Sequence, residues 1–173
     1  MSDTHIPALT PEDSLLETAR FTATHAGLFS QVPSSPAWLV TGASLMAQQA
    51  AALALNGAGD SVPAKVGAAE LLLRAANRDR LPPPFTLPFS ASARRDFDLL
   101  VEVRNSFMHP RAQSWHVTPR TLSRGLPVAS AAVRHLILTQ PVVPDIISPA
   151  DTDTLRDCLE QIEDLALFLG DEA

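Results

Sequence analysis

Apolar residues recur along the chain at intervals of three and four, which is the spacing of one face of an α-helix. Several helix starts are marked by a hydroxyl residue followed by proline, as at Thr10-Pro11 and Ser148-Pro149, where the side chain can cap the first turn. The sequence has no alternating strand pattern and no hairpin dipeptide. The pattern therefore predicts an all-α fold, a bundle of five to six helices.

The predicted helices differ in how their apolar residues are distributed. The first spans about 11–28 and the third about 62–77. The second, about 36–55, is apolar nearly all round, so we place it at the centre of the fold. The last, about 149–169, has one apolar face, made by Leu155, Leu159, Ile162, Ala166 and Leu169.

Prolines divide the middle of the chain. Residues 80–89 read RLPPPFTLPF, and four prolines there favour a stiff extended link. A helix capped by one of the serines that follow should end at about Met108, because a residue that precedes proline avoids helical geometry. Residues 110–127, with three prolines and a glycine, are predicted to form a loop before a short helix at about 128–139.

The composition is that of a globular protein. Of the 173 residues, 46% are hydrophobic and 18% are charged, which indicates one domain over 1–173, with 1–9 as a flexible N-terminus. This is apolar for a soluble monomer and favours a further buried surface, such as a homodimer interface.

The expected location is the cytoplasm. The single cysteine, Cys158, excludes an internal disulfide, and the N-terminus lacks the basic and apolar segments of a signal peptide. The most apolar segment, 37–55, contains Gln48 and Gln49, so a buried helix is expected there rather than a membrane span.

Charge is unevenly distributed. The net charge of −6 argues against a general nucleic-acid coat, but residues 94–124 hold six arginines against three acidic residues. A basic patch of this kind can attract a phosphate group. Ordinary surface arginines are the equally simple interpretation.

The most informative stretch is VEVRNSFMHPR, residues 101–111. At 100° per residue, Arg104 falls in the middle of an apolar stripe, while Asn105 falls on a neighbouring polar stripe that His109 would continue. The apolar stripe consists of Phe97, Leu100, Val101 and Met108, and the polar stripe also carries Asp98 and Glu102. A guanidinium in an apolar setting needs a carboxylate, a carbonyl or a phosphate as partner.

Two structural explanations compete with a functional one. Arg104 can pair with an internal carboxylate, or the stripe can face a groove or a dimer seam where the guanidinium stays hydrated. The Arg-x4-His spacing alone is weak, since the chain contains it three times. Only Arg104…His109 has a polar residue directly after the arginine and ends an apolar helix at a proline.

RNSFMH at the end of a helix, in an all-helical chain of this size, resembles the motif of the HEPN superfamily: arginine, a polar residue that is often asparagine, three residues, then histidine. The match covers residues 104–109. The resemblance implies an up-and-down helical bundle that often dimerises, with two motifs meeting in one composite cleft. It also implies a metal-independent endoribonuclease of toxin–antitoxin or phage-defence systems, with Arg104, Asn105 and His109 as the site. The alternative within the family is a non-catalytic module that dimerises and binds a partner protein or RNA.

The chemistry of these side chains fits RNA cleavage by the 2′-hydroxyl. An imidazole exchanges protons near neutral pH, so His109 is the candidate general acid/base. A guanidinium suits the charge that develops on phosphorus, so Arg104 is the candidate stabiliser, and Asn105 can orient the phosphate or hold the imidazole tautomer. We expect no metal and no cofactor. The expected partners are RNA, a second copy of the chain and an antitoxin or other partner protein, without a membrane.

One departure from the family is informative. In family members silenced by nucleotidylation, a tyrosine follows two residues after the histidine. Arg111 holds that position here, and the chain has no tyrosine at all. That form of control is therefore not expected.

Other residues carry weaker alternatives. Trp115 can stack on a base, although a tryptophan that covers the core is the simpler interpretation, and His116 adjoins it in the same basic loop. Asp98 and Glu102 can form an acid pair, but pairing with Arg94 or Arg95, or simple solvation, explains them as well. The remaining histidines are predicted to be structural or to lie in the terminus: His25, His135 and His5. A plain helical bundle unrelated to the family is the third hypothesis.

Overall fold

The computed structural model describes residues 8–63, 65–109 and 116–171, and over these residues the regular structure is entirely helical. Six α-helices follow one another: Pro11–Gly27 (α1), Ser35–Gly57 (α2), Ala68–Ala75 (α3), Ala91–Met108 (α4), Pro119–Val133 (α5) and Pro149–Asp171 (α6). α5 continues into a π-helical segment, Arg134–Thr139. The predicted all-α bundle is confirmed.

Of the hydroxyl–proline pairs predicted to start helices, Thr10-Pro11 and Ser148-Pro149 are real caps, whereas Ser35-Pro36 is not. The Thr10 hydroxyl accepts from the Asp13 backbone N–H at 3.1 Å, and the Asp13 carboxylate accepts from the Thr10 N–H, which completes a capping box. Ser148 likewise accepts from the Asp151 N–H at 3.1 Å. At the start of α2, Ser35 is instead buried, with its hydroxyl 3.2 Å from Nδ1 of His25.

α2 lies at the centre of the bundle, as its uniform apolarity predicts. It packs against α1, α3, α4 and α5, and the helices α1, α2, α5 and α6 close a ring in which each contacts the next. By length and composition α2 could cross a membrane, but 67% of its apolar window is buried inside the bundle. That is the position of a core helix, and its apolarity is explained by contacts with the four neighbouring helices.

The predicted loop over 110–127 is wrong from residue 119 onward, because α5 begins at Pro119. The Thr118 hydroxyl accepts from the Thr121 N–H at 3.1 Å, and proline suits the first helical position. Pro127 lies inside the helix. A Cβ at Gly125 would lie 3.1 Å from Leu100, so this glycine lets α5 approach α4 closely. Both residues look like loop signals in the sequence, but packing against neighbouring helices outweighs them.

α3 is also shorter than predicted, eight residues in place of about sixteen. The segment before it is held by side chains of α2: Gln48 donates through Nε2 to the Val66 carbonyl at 2.9 Å, and Asn56 accepts from the Val62 N–H at 3.3 Å. The Val66 carbonyl is one that a longer helix would pair internally, so the Gln48 bond competes with helix formation at this point.

Two further predictions for the fold agree with the structure, and residues 1–7 of the predicted flexible N-terminus lie outside the described residues. The proline-rich link at 80–89 is non-helical, and its Leu81 and Leu87 are buried in the core. All five residues predicted for the apolar face of α6 are buried. One cluster of buried side chains includes residues from all six helices.

Candidate functional site

α4 carries the motif at its C-terminal end. The helix starts at a cap in which the Ser90 hydroxyl accepts from the Ala93 N–H at 3.1 Å. It ends at His109, whose backbone leaves helical geometry while its N–H still donates to the Asn105 carbonyl at 3.0 Å. Pro110, to which we attribute this end, and Arg111 lie outside the described residues.

The apolar stripe of α4 is only partly buried, which corrects the sequence-based picture. Phe97 and Leu100 are buried in the core, whereas Val101 is half-buried and Met108 is 45% exposed. The two C-terminal turns of α4 contribute no fully buried residue. Arg104 therefore lies at the margin of the core, on a part of the helix that is only partly covered.

Arg104 is half-buried and only partly satisfied. Its Nη1 donates to Oδ1 of Asn105 at 3.0 Å. Its Nε is buried and has no hydrogen-bond partner within residues 8–63, 65–109 and 116–171. In the same residues no carboxylate lies within ion-pair distance of Arg104, so the pairing with an internal carboxylate is not found there.

Asn105 and His109 are both exposed. Since the His109 N–H is bonded to the Asn105 carbonyl, the imidazole lies one helical turn beyond the asparagine. The end of α4 thus presents a guanidinium, a carboxamide and an imidazole over six consecutive residues, 104–109. A cation that binds oxyanions and a group that exchanges protons are the two elements that phosphodiester cleavage by the 2′-hydroxyl requires.

Aromatic rings from three helices lie beside the motif, which the sequence did not reveal. Phe107 of α4 contacts Trp38 of α2, with ring centroids 5.3 Å apart and planes at 84°. Trp38 in turn contacts Phe21 of α1 at 6.2 Å, and Phe21 contacts His25 at 4.6 Å. We call Phe21, His25, Trp38 and Phe107 the aromatic cluster. α2 is apolar on every side, so its sequence gave no signal that Trp38 would be on the surface.

The other candidates separate into structural and exposed groups. Nε2 of His135 lies 3.2 Å from the Thr86 carbonyl, a contact that ties the π-helical segment to the proline-rich link. Asp98 and Glu102 are exposed, and it is Asp96 that pairs with an arginine, Arg124, at 3.0 Å. His116 is exposed just before α5, whereas Trp115 and His5 lie outside the described residues. Over the described ranges no group of three metal-ligating side chains comes together.

A scan of protein-family models, a search of curated proteins and a search of solved structures each found no match to this chain. The resemblance to the HEPN superfamily therefore depends on residues 104–109 and on the all-helical architecture.

Proposed function

We propose that this chain is a metal-independent endoribonuclease of HEPN type, which cleaves RNA as a homodimer with a composite active site. Arg104, Asn105 and His109 form the site in each protomer. The proposal extends to a role in a toxin–antitoxin or phage-defence system, where a partner protein would restrain the activity.

The observation that carries the proposal is the state of Arg104. Arg104 is half-buried, and within residues 8–63, 65–109 and 116–171 its Nε has no hydrogen-bond partner, which is a costly state for a buried donor. Over the described residues its hydrogen-bond partner is a neutral carboxamide rather than a carboxylate, so its positive charge stays available. A phosphate supplies the negative charge that this guanidinium lacks among the described residues, and its oxygens can accept from the Nη hydrogens that Asn105 does not use.

In RNA cleavage by the 2′-hydroxyl, a bond forms between the 2′-oxygen and phosphorus, and the bond between phosphorus and the 5′-oxygen of the next nucleotide breaks. The 2′-hydroxyl proton passes to a general base, and a general acid protonates the departing 5′-oxygen. The products are a 2′,3′-cyclic phosphate and a 5′-hydroxyl end. Arg104 stabilises the negative charge that builds up on the pentavalent phosphorus.

Two proton transfers at one phosphate require two groups, and one motif offers a single imidazole at His109. A homodimer that brings two motifs together supplies one imidazole for the base and one for the acid. The exposure of Asn105, Met108 and His109 at the end of α4 supports this arrangement, because it leaves these side chains accessible to a second copy.

Asn105 receives a more specific role from the geometry than from the sequence. Its Oδ1 accepts from Nη1 of Arg104, so the carboxamide orients the guanidinium. The sequence suggested instead that Asn105 contacts the phosphate or the imidazole. We assign it to positioning Arg104, which leaves the remaining Nη donors for phosphate oxygens.

The test is cleavage of several single-stranded RNAs by purified wild-type protein and by His109→Ala, each with EDTA. His116→Ala is the matched control, because it removes a second exposed histidine outside the motif. Wild type and His116→Ala should cleave, and His109→Ala should lose about 100-fold or more of the activity, as expected for loss of a general acid/base. The new ends should carry a 2′,3′-cyclic phosphate.

Two outcomes would contradict the proposal. Inhibition by EDTA would indicate metal-dependent chemistry. A folded dimer that cleaves none of the RNAs would favour the non-catalytic binding module.

A further inference from the structure

The aromatic cluster presents ring surface to solvent directly beside the motif. Trp38 is 38% exposed and Phe21 is 41% exposed, so both large aromatic side chains offer part of their surface to solvent. Both edge-to-face contacts of Trp38 are near perpendicular, at 82° with Phe21 and 84° with Phe107. Phe21 of α1 and Phe107 of α4 therefore hold the indole in place, while part of the indole surface stays exposed to solvent.

The cluster adjoins the cation of the motif. Phe107 is three residues after Arg104 on α4, so the two side chains are neighbours on the helix surface. Among the described residues this guanidinium pairs with no carboxylate. The exposed aromatic surface and the guanidinium beside it are therefore complementary to a ligand with a flat ring and a negative charge. A nucleotide of single-stranded RNA has both, since its base can stack and its phosphate can bind the guanidinium.

His25 gives the cluster a polar edge. Its ring lies 6.5 Å from Trp38 with the planes 34° apart. Nδ1 lies 3.2 Å from the Ser35 hydroxyl, and within the described residues Nε2 has no hydrogen-bond partner. Nε2 is thus available to the edge of a base that stacks on Trp38.

We propose that Trp38 and Phe21 form a platform that stacks an unpaired base next to the phosphate held by Arg104, with His25 Nε2 at the edge of that base. The site thereby selects single-stranded over double-stranded RNA, because a base within a duplex cannot reach the rings. This inference rests on the proposed function for the identity of the phosphate ligand.

The test measures binding separately from cleavage. RNA with 2′-O-methyl groups cannot be cleaved by its own 2′-oxygen, so wild-type protein can be titrated with a labelled single strand by fluorescence anisotropy. Trp38→Ala should weaken binding about ten-fold, within the range for loss of one stacked base. Trp38→Phe should retain most of the affinity. Phe168→Ala is the control for loss of an exposed aromatic residue, since Phe168 is 53% exposed on α6, and it should bind as wild type does.

A second measurement needs no change at the platform. In Trp115→Phe protein, Trp38 is the remaining tryptophan, and stacking of a base should quench its fluorescence. A strand of the same length made of abasic units carries the same phosphates, and it should bind without quenching. This result also decides the matter if Trp38→Ala fails to fold.

Each outcome either supports or overturns the platform. RNA binding that is unchanged in Trp38→Ala, or that leaves Trp38 fluorescence unquenched, would refute the platform and leave the nuclease proposal intact. Loss of dimerisation in Trp38→Phe, seen by analytical ultracentrifugation, would assign the cluster to the dimer seam and also refute it. If wild type binds no RNA at all, the proposed function fails first and the platform fails with it.

Discussion

The guanidinium of Arg104 donates through Nη1 to Oδ1 of the next residue, Asn105, at 3.0 Å, while its Nε stays buried without a partner among the described residues. The asparagine thus orients the arginine without neutralising it. A buried donor left unsatisfied costs about 1–3 kcal/mol, so a donor without a partner among the described residues is expected to lower the free energy of unfolding. Such a cost is typical of a ligand-binding site in its unliganded state.

Replacing Arg104 should therefore raise stability and remove activity together. Arg104→Met keeps the length and the apolar stem but removes the unsatisfied donor. We expect the free energy of unfolding to rise by about 1 kcal/mol in urea titrations, because the desolvation cost disappears. RNA cleavage should fall by about 100-fold or more, because the charge that stabilises the phosphorane is lost.

Arg134→Met is the matched control for this change. Its Nη2 lies 2.9 Å from Oε2 of Glu163, and both side chains are 32% exposed, so the variant breaks a formed ion pair. It should lower stability or leave it unchanged while cleavage persists. An Arg104→Met protein that is clearly less stable than wild type would show that Arg104 has a structural partner after all.

A negative charge at Asn105 should weaken RNA binding. Asn105→Asp places a carboxylate against Nη1 of Arg104 and converts the hydrogen bond into an ion pair that competes with phosphate. Affinity for RNA should fall, and the slope of log affinity against log salt should shrink by about one unit, as for the loss of one phosphate contact.

Ser106→Asp separates this local effect from net charge. It adds the same charge at the next residue, which is also exposed, but its hydroxyl donates to the Glu102 carbonyl rather than contacting Arg104. We expect a smaller loss of affinity and little change in the salt slope. Equal effects of the two variants would argue that only the overall charge of the surface matters.

Close packing of α1 against α2 makes Gly42 sensitive to substitution. A Cβ there would overlap the Thr22 hydroxyl and lie 3.1 Å from the Thr22 Cβ, and a β-branched side chain in a helix has few rotamers into which it can move. Gly42→Ala should lower the free energy of unfolding by about 1–3 kcal/mol. Gly170→Ala should be neutral or stabilising, because its Cβ would meet only Ser123 at an ordinary 3.8 Å. A comparison of thermal melts of the two variants checks this, and equal melting temperatures would contradict it.

Burial raises the pKa of the Cys158 thiol, chiefly by desolvation, with a further contribution from Asp157 and an opposing one from Arg20. Since the thiolate is the reactive form, alkylation of the native protein by iodoacetamide near neutral pH should be slow. Unfolding in urea should restore the rate of a free thiol. In native protein the alkylation rate should increase with pH. Because the pKa of the thiol is raised, this increase should occur at a higher pH than for a free cysteine. Rapid labelling of folded protein would show that the C-terminal helix opens readily.

Features that depend on neighbouring residues in the chain were predictable. The capping box at Thr10 and Asp13, the buried face of α6 and the end of α4 at His109 follow from side chains within one or two turns of each other. The three residues of the candidate site were predicted from the resemblance of residues 104–109 to the HEPN motif, which needs no tertiary information because all three lie within six positions of one another.

Features that depend on contacts between distant segments were not predictable. Gly125 and Pro127 resemble loop residues, yet they lie in α5, where the glycine permits close contact with Leu100 of α4. The aromatic cluster joins Phe21, Trp38 and Phe107 from three helices, and the periodicity of one helix does not show which of its faces meets the others. Local sequence thus determined most of the helices and pointed to the candidate site, whereas tertiary packing decided the extent of α3 and α5 and which surfaces are buried, because burial depends on which distant side chains fill the same space.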